Sequence, residues 1–108
     1  MNINEYFRKN VEKTKLRYNV YQICPRVECA DGFVMSVQAS HTHYCKPRES
    51  ELDYYLQFEV GFPSEKEDLL MDYVEDEDNP TETVYGYVPF EVIDAVIKKH
   101  GGFKCSND

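Results

Sequence analysis

Asp31-Gly32, followed by an eight-residue run that alternates apart from Val34, constrains this chain more than any other segment. Asp-Gly supplies the backbone freedom that a tight reversal needs. Behind it Phe33, Met35, Val37 and Ala39 alternate with Val34, Ser36, Gln38 and Ser40. A period of two places the first set on one face of a strand and the second on the other. One face is therefore core and the other largely polar. With residues 26–29 as the incoming arm, this is a β-hairpin whose apolar side the rest of the chain must cover.

The covering elements read as follows. Residues 3–15 are expected to be helical, with Ile3, Phe7 and Val11 on one face, Tyr6 beside them, and Asn2 and Glu5 as a capping pair. Residues 18–23 alternate as a short strand that Pro25 stops. Residues 41–53 form a loop. Residues 54–62 are a strand carrying Tyr54, Leu56, Phe58 and Val60 on one face. Ser64-Glu65-Lys66-Glu67 fits a capping box, opening a second helix buried through Leu69, Leu70, Tyr73 and Val74. Residues 83–88 make a strand around Gly86. Pro89 then opens a third helix that buries Ile93, Val96 and Ile97, complements its end with Lys98, Lys99 and His100, and stops at Gly101-Gly102.

This order predicts an α+β fold: a small, mostly antiparallel sheet of four to five strands, with three helices packed mainly on one face. The competing architecture is an open mixed sheet with a crossover through residues 64–82. Residues 1–103 are expected to form one domain and 104–108 a frayed tail.

Charge is segregated along the chain. Residues 1–48 hold eight Lys/Arg against four Asp/Glu, whereas residues 49–83 hold thirteen acids against one base. The whole carries −8, which disfavours generic nucleic-acid binding, since phosphates call for a basic footprint. No apolar leader follows Met1 and no run approaches membrane-spanning length, so a cytoplasmic location with free thiols and no membrane association is expected.

The polar end of the 33–40 strand runs into the densest chemistry of the chain: Gln38, Ser40, His41, His43, Tyr44, Cys45, Lys46 and Arg48. Strand ends are where folds commonly place binding groups. Three chemistries compete there. Cys24 and Cys29 together with His41, His43 and Cys45 could hold zinc; the plain alternative is buried thiols and surface imidazoles. Cys45 with His43 could act as a nucleophile and base, but an i, i+2 pair on a strand rarely bonds, and no orienting third group is legible. His41, His43, Lys46 and Arg48 could receive a nucleotide or another anion, with Tyr44 and Tyr85 or Tyr87 as stacking surfaces and Gln38 and Ser40 reading polar edges; the plain alternative is a solvated loop. A fourth reading uses Glu65, Glu67, Asp68, Asp72, Glu75, Asp76, Glu77 and Asp78 as an acidic face for a basic protein partner, against the plain reading of a solubilising surface.

Between Gly32 and Gly102 the chain resembles a family of short, uncharacterised accessory proteins of phages, prophages and related mobile elements. The pieces are Ser36-Val37-Gln38-Ala39-Ser40, His43-Tyr44-Cys45 with Pro47-Arg48, Glu59-Val60-Gly61-Phe62-Pro63-Ser64, Thr83-Val84-Tyr85 with Tyr87-Val88-Pro89, and His100-Gly101-Gly102. The resemblance implies a mobile-element protein in a bacterial host and no known reaction; it carries nothing onto Cys24 or Cys29. The combined expectation is a non-enzymatic binder of a host protein, a defence component being the type of target, with no cofactor. It would use Gln38, Ser40, His41, His43, Tyr44, Cys45, Arg48, Tyr85 and Tyr87 together with the acidic face. A small-ligand protein using the 38–48 loop is second, and a Cys/His or zinc-dependent enzyme third. Many Tyr and a short exposed strand are compatible with a homodimer.

Overall fold

The computed structural model describes residues 1–104 of the 108-residue chain. The fold is α+β. Its elements are α1 (Ile3–Asn10), β1 (Glu12–Leu16), β2 (Asn19–Ile23), β3 (Val27–Glu28), β4 (Val34–Gln38), β5 (Gln57–Gly61), a 3-10 helix (Asp68–Tyr73), β6 (Val84–Pro89) and α2 (Phe90–Lys99). The strands form a four-stranded sheet in the order β3-β4-β5-β6 and a separate two-stranded ribbon, β1-β2. Every pairing of these strands is antiparallel, so the mixed sheet with a crossover through 64–82 does not form.

The hairpin legible in the sequence is β3-β4, with Val27 opposite Met35 and Gly32 at φ +95° in its turn. Phe33, Met35, Val37 and Ala39 are buried, as their alternation requires. They join Ile3, Phe7, Phe58, Val60, Val88, Ile93 and Val96 in one core. Burying each such side chain contributes roughly 1.5–3 kcal/mol before ordering costs are counted. Asn2 caps α1 through Glu5 N–H at 2.9 Å. Pro89 is the N-cap of α2, and Gly101 and Gly102 leave the helix at φ +91° and +89°.

Four expectations need correction. The first helix ends at Asn10, because Val11 is already extended and residues 12–16 pair with β2. Thr14, Val20 and Tyr21 favour extended backbone, and the pairing satisfies it. The resulting ribbon is largely solvated, with Leu16 and Ile23 exposed and Tyr18 at 98% exposure, and it is anchored to the body by buried Gln22. Second, the facing of residues 54–62 reverses partway. Tyr54 and Leu56 point out and Tyr55 points in, while Phe58 and Val60 are buried as expected. The Lys46 carbonyl accepts both Leu56 N–H (2.8 Å) and Gln57 N–H (3.1 Å), so two residues occupy one pairing step and the alternation slips.

Third, Ser64 does not cap a helix. It continues the ladder beside β4: Ser64 N–H donates to Val34 O at 2.8 Å, and Val34 N–H donates to Ser64 Oγ at 3.0 Å. The cap of the 3-10 helix is Glu67, whose carboxylate accepts Leu69 N–H at 2.9 Å, and Leu69 turns outward. Fourth, Lys104 is held rather than frayed. Its N–H donates to Glu28 O at 2.9 Å and its Nζ lies 3.3 Å from Glu28 Oε2. The remainder of the expected tail, 105–108, lies outside the described residues.

Candidate functional site

Segment 38–48 leaves β4 and lies against β5 and β6. Its order comes from buried amides that stand in for a strand neighbour. Gln38 presents its carboxamide edge-on to Cys24, accepting Cys24 N–H at 2.8 Å and donating to Cys24 O at 2.8 Å. Gln22 donates to Ala39 O and to Tyr55 Oη (3.1 Å), and accepts Glu51 N–H at 2.9 Å. Asn4 treats Tyr55 as Gln38 treats Cys24, with bonds of 2.8 and 3.1 Å to its N–H and C=O. Tyr55 Oη donates to Glu49 O at 2.7 Å. Buried backbone groups must find partners, and here side chains supply them. Gln38 is therefore a structural strut, its carboxamide engaged by the main chain of Cys24.

The same accounting reassigns most of the expected donors. Ser40 is 1% exposed, and its Oγ lies 2.6 Å from His43 Nδ1 and 2.9 Å from Thr42 Oγ1 while accepting Thr42 N–H. His41 Nδ1 lies 2.7 Å from Ser50 Oγ, and its ring leans on Tyr21. Burial lowers the His43 pKa, opposed by Glu59 and reinforced by His41 and Arg48. Cys45 is buried and its thiol donates to Ser40 O (3.2 Å) and Pro47 O (3.4 Å). Burial raises its pKa, as it does for Cys24, to about 12, and Cys29, to about 11. A thiolate is the nucleophile and the metal ligand, and these three sulfurs resist forming one. Among the described residues no three His, Cys, Asp or Glu side chains gather into a metal-holding group, so Cys24, Cys29, His43 and Cys45 are not brought together as a zinc set.

Tyr85 also departs from its expected place. It is fully buried, donates its hydroxyl to Pro80 O, and offers no stacking face. Tyr87 does meet the loop. Phe58 pairs with Val88 but Val60 pairs with Tyr85, so Gly86 and Tyr87 together oppose Glu59 in a β-bulge. The bulge puts Tyr87 at φ +55° and turns its side chain outward. Segment 43–45 crosses directly over it. Tyr44 N–H donates to Glu59 Oε1 at 3.1 Å, and Tyr44 O accepts Tyr87 N–H at 3.0 Å. The two rings stand 6.0 Å apart, and the Arg48 guanidinium lies 5.4 Å from the Tyr44 ring centroid. The crossing is close: a Cβ at Gly86 would just reach van der Waals contact with Tyr44 Cβ, at 3.4 Å. An open groove of about 410 Å³ results, lined by Tyr44, Tyr73, Glu75, Gly86 and Tyr87. Tyr73, expected in the core, and Glu75, expected on the acidic face, thus join the expected pair. A glycine flanked by two tyrosines inside a strand is the sequence signal for this bulge.

Seven of the eight acids proposed as a surface are exposed: Glu65, Asp68, Asp72, Glu75, Asp76, Glu77 and Asp78. Asp76 is partly engaged, accepting Asp78 N–H (3.1 Å) and Asn79 Nδ2–H (3.0 Å). Glu67 is the exception. It is buried, with Oε1 2.7 Å from His100 Nε2 and Oε2 accepting Lys99 Nζ–H at 2.8 Å. The other ring nitrogen of His100 lies 2.6 Å from Asp31 Oδ2, and the ring stacks on Phe33 at 4.1 Å. Burial opposes charge on His100, but the bonds and charges of Glu67 and Asp31 outweigh it and raise the pKa. Burial likewise opposes charge on Glu67, and Lys99, Leu69 N–H and His100 overcome it, leaving the carboxyl below its ordinary range. Phe33 N–H and His100 lower Asp31. This cluster, buried at Glu67 and His100 and half-exposed at Asp31 and Lys99, joins the β3-β4 turn, the 3-10 helix and the end of α2. It is a structural latch 30 to 70 residues wide in sequence, and the spacing hides it.

Among the described residues no helix is long and apolar enough to cross a membrane. No family model, curated protein or solved structure matches the chain.

Proposed function

We propose that this chain is a non-enzymatic accessory protein of a phage or mobile element, and that it binds a basic surface on a host protein, a defence component being the type of target. The mobile-element part rests on the resemblance carried by residues 32–102. The binding part rests on one observation: the tyrosine-lined groove contains Glu75, the first residue of the exposed run Glu75-Asp76-Glu77-Asp78. A recognition surface commonly joins aromatic anchors to a charged rim, and this face has both. The nucleotide reading finds less support, because Ser40, His41 and His43 are bonded within the loop and Glu75 would repel a phosphate. The nucleophilic reading meets buried, protonated thiols.

The test is capture from bacterial extract on the immobilised chain, compared with a variant carrying Asp72→Lys, Glu77→Lys and Asp78→Lys. A basic protein should be retained at low salt by the parent alone and released near 1 M salt, where the Debye length is ~3 Å. Equal retention by the charge-reversed variant, or retention indifferent to salt, would refute the reading.

A further inference from the structure

We propose that the groove formed by Tyr44, Tyr73, Tyr87 and Glu75 receives the guanidinium of an arginine side chain presented by the protein partner. This rests on the acidic face being a protein-binding surface, and it names the group that enters it.

The lining selects for positive charge twice over. The negative faces of phenol rings attract a cation within about 6 Å of their centroids. Glu75 adds an exposed carboxyl group to the lining. The next three residues, Asp76, Glu77 and Asp78, are also acidic and exposed. A phosphate or carboxylate would be repelled. A neutral apolar group would strip water from Glu75 and return nothing.

The choice of arginine over lysine follows from shape and hydration. A guanidinium is planar, weakly hydrated, stacks on aromatic faces and forks onto a carboxylate. Compact ammonium would lose more water on entering the same site. The molecule already contains one such contact, since the Arg48 guanidinium sits over the Tyr44 ring at 5.4 Å without lining the groove. At about 410 Å³ the groove is near the lower end of ligand clefts, which run roughly 300–1,000 Å³. It suits one side chain and its stem.

Two of the walls have a preorganised main chain. At Tyr44 it is fixed through the N–H to Glu59 and the C=O to Tyr87, and at Tyr87 by the bulge at φ +55°. Tyrosines on a fixed backbone have only two side-chain torsions to order on binding, which favours contact with a single inserted group.

The probes are three capped tripeptides, Gly-Arg-Gly, Gly-Lys-Gly and Gly-citrulline-Gly, titrated against the full chain while tyrosine ring resonances are followed by NMR. Citrulline keeps the planar shape and removes the charge. The arginine peptide should bind roughly tenfold tighter than the citrulline peptide and measurably tighter than the lysine peptide, with shifts confined to Tyr44, Tyr73 and Tyr87. Glu75→Gln and Tyr87→Gly should each weaken it about threefold to tenfold; glycine suits the positive φ, so the latter variant stays folded. Citrulline binding as tightly as arginine, or undiminished arginine binding in Tyr87→Gly, would overturn the assignment. So would lysine binding equal to arginine. If the arginine peptide fails while extract capture remains salt-sensitive and dependent on Asp72, Glu77 and Asp78, the groove assignment falls and the acidic face stands. If the peptide behaves as expected while capture ignores those three charges, the groove stands and the proposed function falls.

Discussion

Glu67→Gln is the most informative perturbation of the fold. The carboxylate accepts from His100 (2.7 Å), Lys99 (2.8 Å) and Leu69 N–H (2.9 Å), and its side chain is 2% exposed. Truncating one partner of a buried ion pair costs about 3–5 kcal/mol. Part of that is recovered here. A carboxamide still accepts one or two bonds, and His100 can shed its Nε2 proton and accept from the new NH2 while keeping Nδ1–H toward Asp31. Lys99 is half-exposed, so its share is screened. The net loss is then about 2–3 kcal/mol, and at roughly 4–8 °C per kcal/mol for a domain of this size Tm falls by about 10–20 °C.

The pH dependence carries the sign of the cluster. His100 has its pKa raised above 6.5, so its contribution is complete below that value and fades as pH rises through the folded pKa. Glu67 and Asp31 are lowered below 4.5 and 3.8, so theirs are complete above those values and fade as pH falls through the folded ones. The gap in Tm between parent and variant, measured by circular dichroism, should be widest between pH 4.5 and 6.5 and shrink on both sides. A drop below about 3 °C at pH 6, or a gap that stays flat well into the alkaline range, would refute the ionic account of the latch.

Other outcomes follow from the loop and its bulge. Tyr87→Gly should be more stable than Tyr87→Ala by about 1 kcal/mol in urea unfolding, inverting the usual order, because residue 87 sits at φ +55°. Gln38→Leu should cost about 2–4 kcal/mol by the same assay, since it strands the buried N–H and C=O of Cys24. Cys24, Cys29 and Cys45 should resist iodoacetamide at pH 8 in the folded chain and label in urea, read by peptide mass spectrometry; rapid native labelling of Cys45 would contradict its burial and raised pKa.

What could be read from the residues alone was whatever local punctuation determines. α2 is bracketed by Pro89 and Gly101-Gly102, and β4 is bracketed by Asp31-Gly32 and its own alternation, so both were legible. The β1-β2 ribbon was hidden because Arg17-Tyr18 is not a usual turn pair, although Arg17 takes φ +58°, and because Val11 continues the period of α1. The slip near Leu56 depends on a carbonyl ten residues earlier in the chain. At the candidate site the residue types at 38–48 draw attention to one loop, while most of those side chains hold the loop itself. Tyr44 and Tyr87, paired in the sequence reading, do lie side by side at the groove, whereas Tyr73, read as core, lines it. The latch was invisible: His100 at a helix end reads as a dipole complement, and its partners Asp31 and Glu67 lie far off in sequence.

The amides of Asn4, Gln22 and Gln38 grip the main chain at Cys24, Ala39, Glu51 and Tyr55, leaving the identity of the intervening solvent-facing residues free. Thr42, Tyr44, Lys46 and Arg48 are exposed along that stretch. Such a mounting resembles a fixed bracket with exchangeable fittings. Substitutions at the outward positions would change what this surface presents without re-solving the problem of folding.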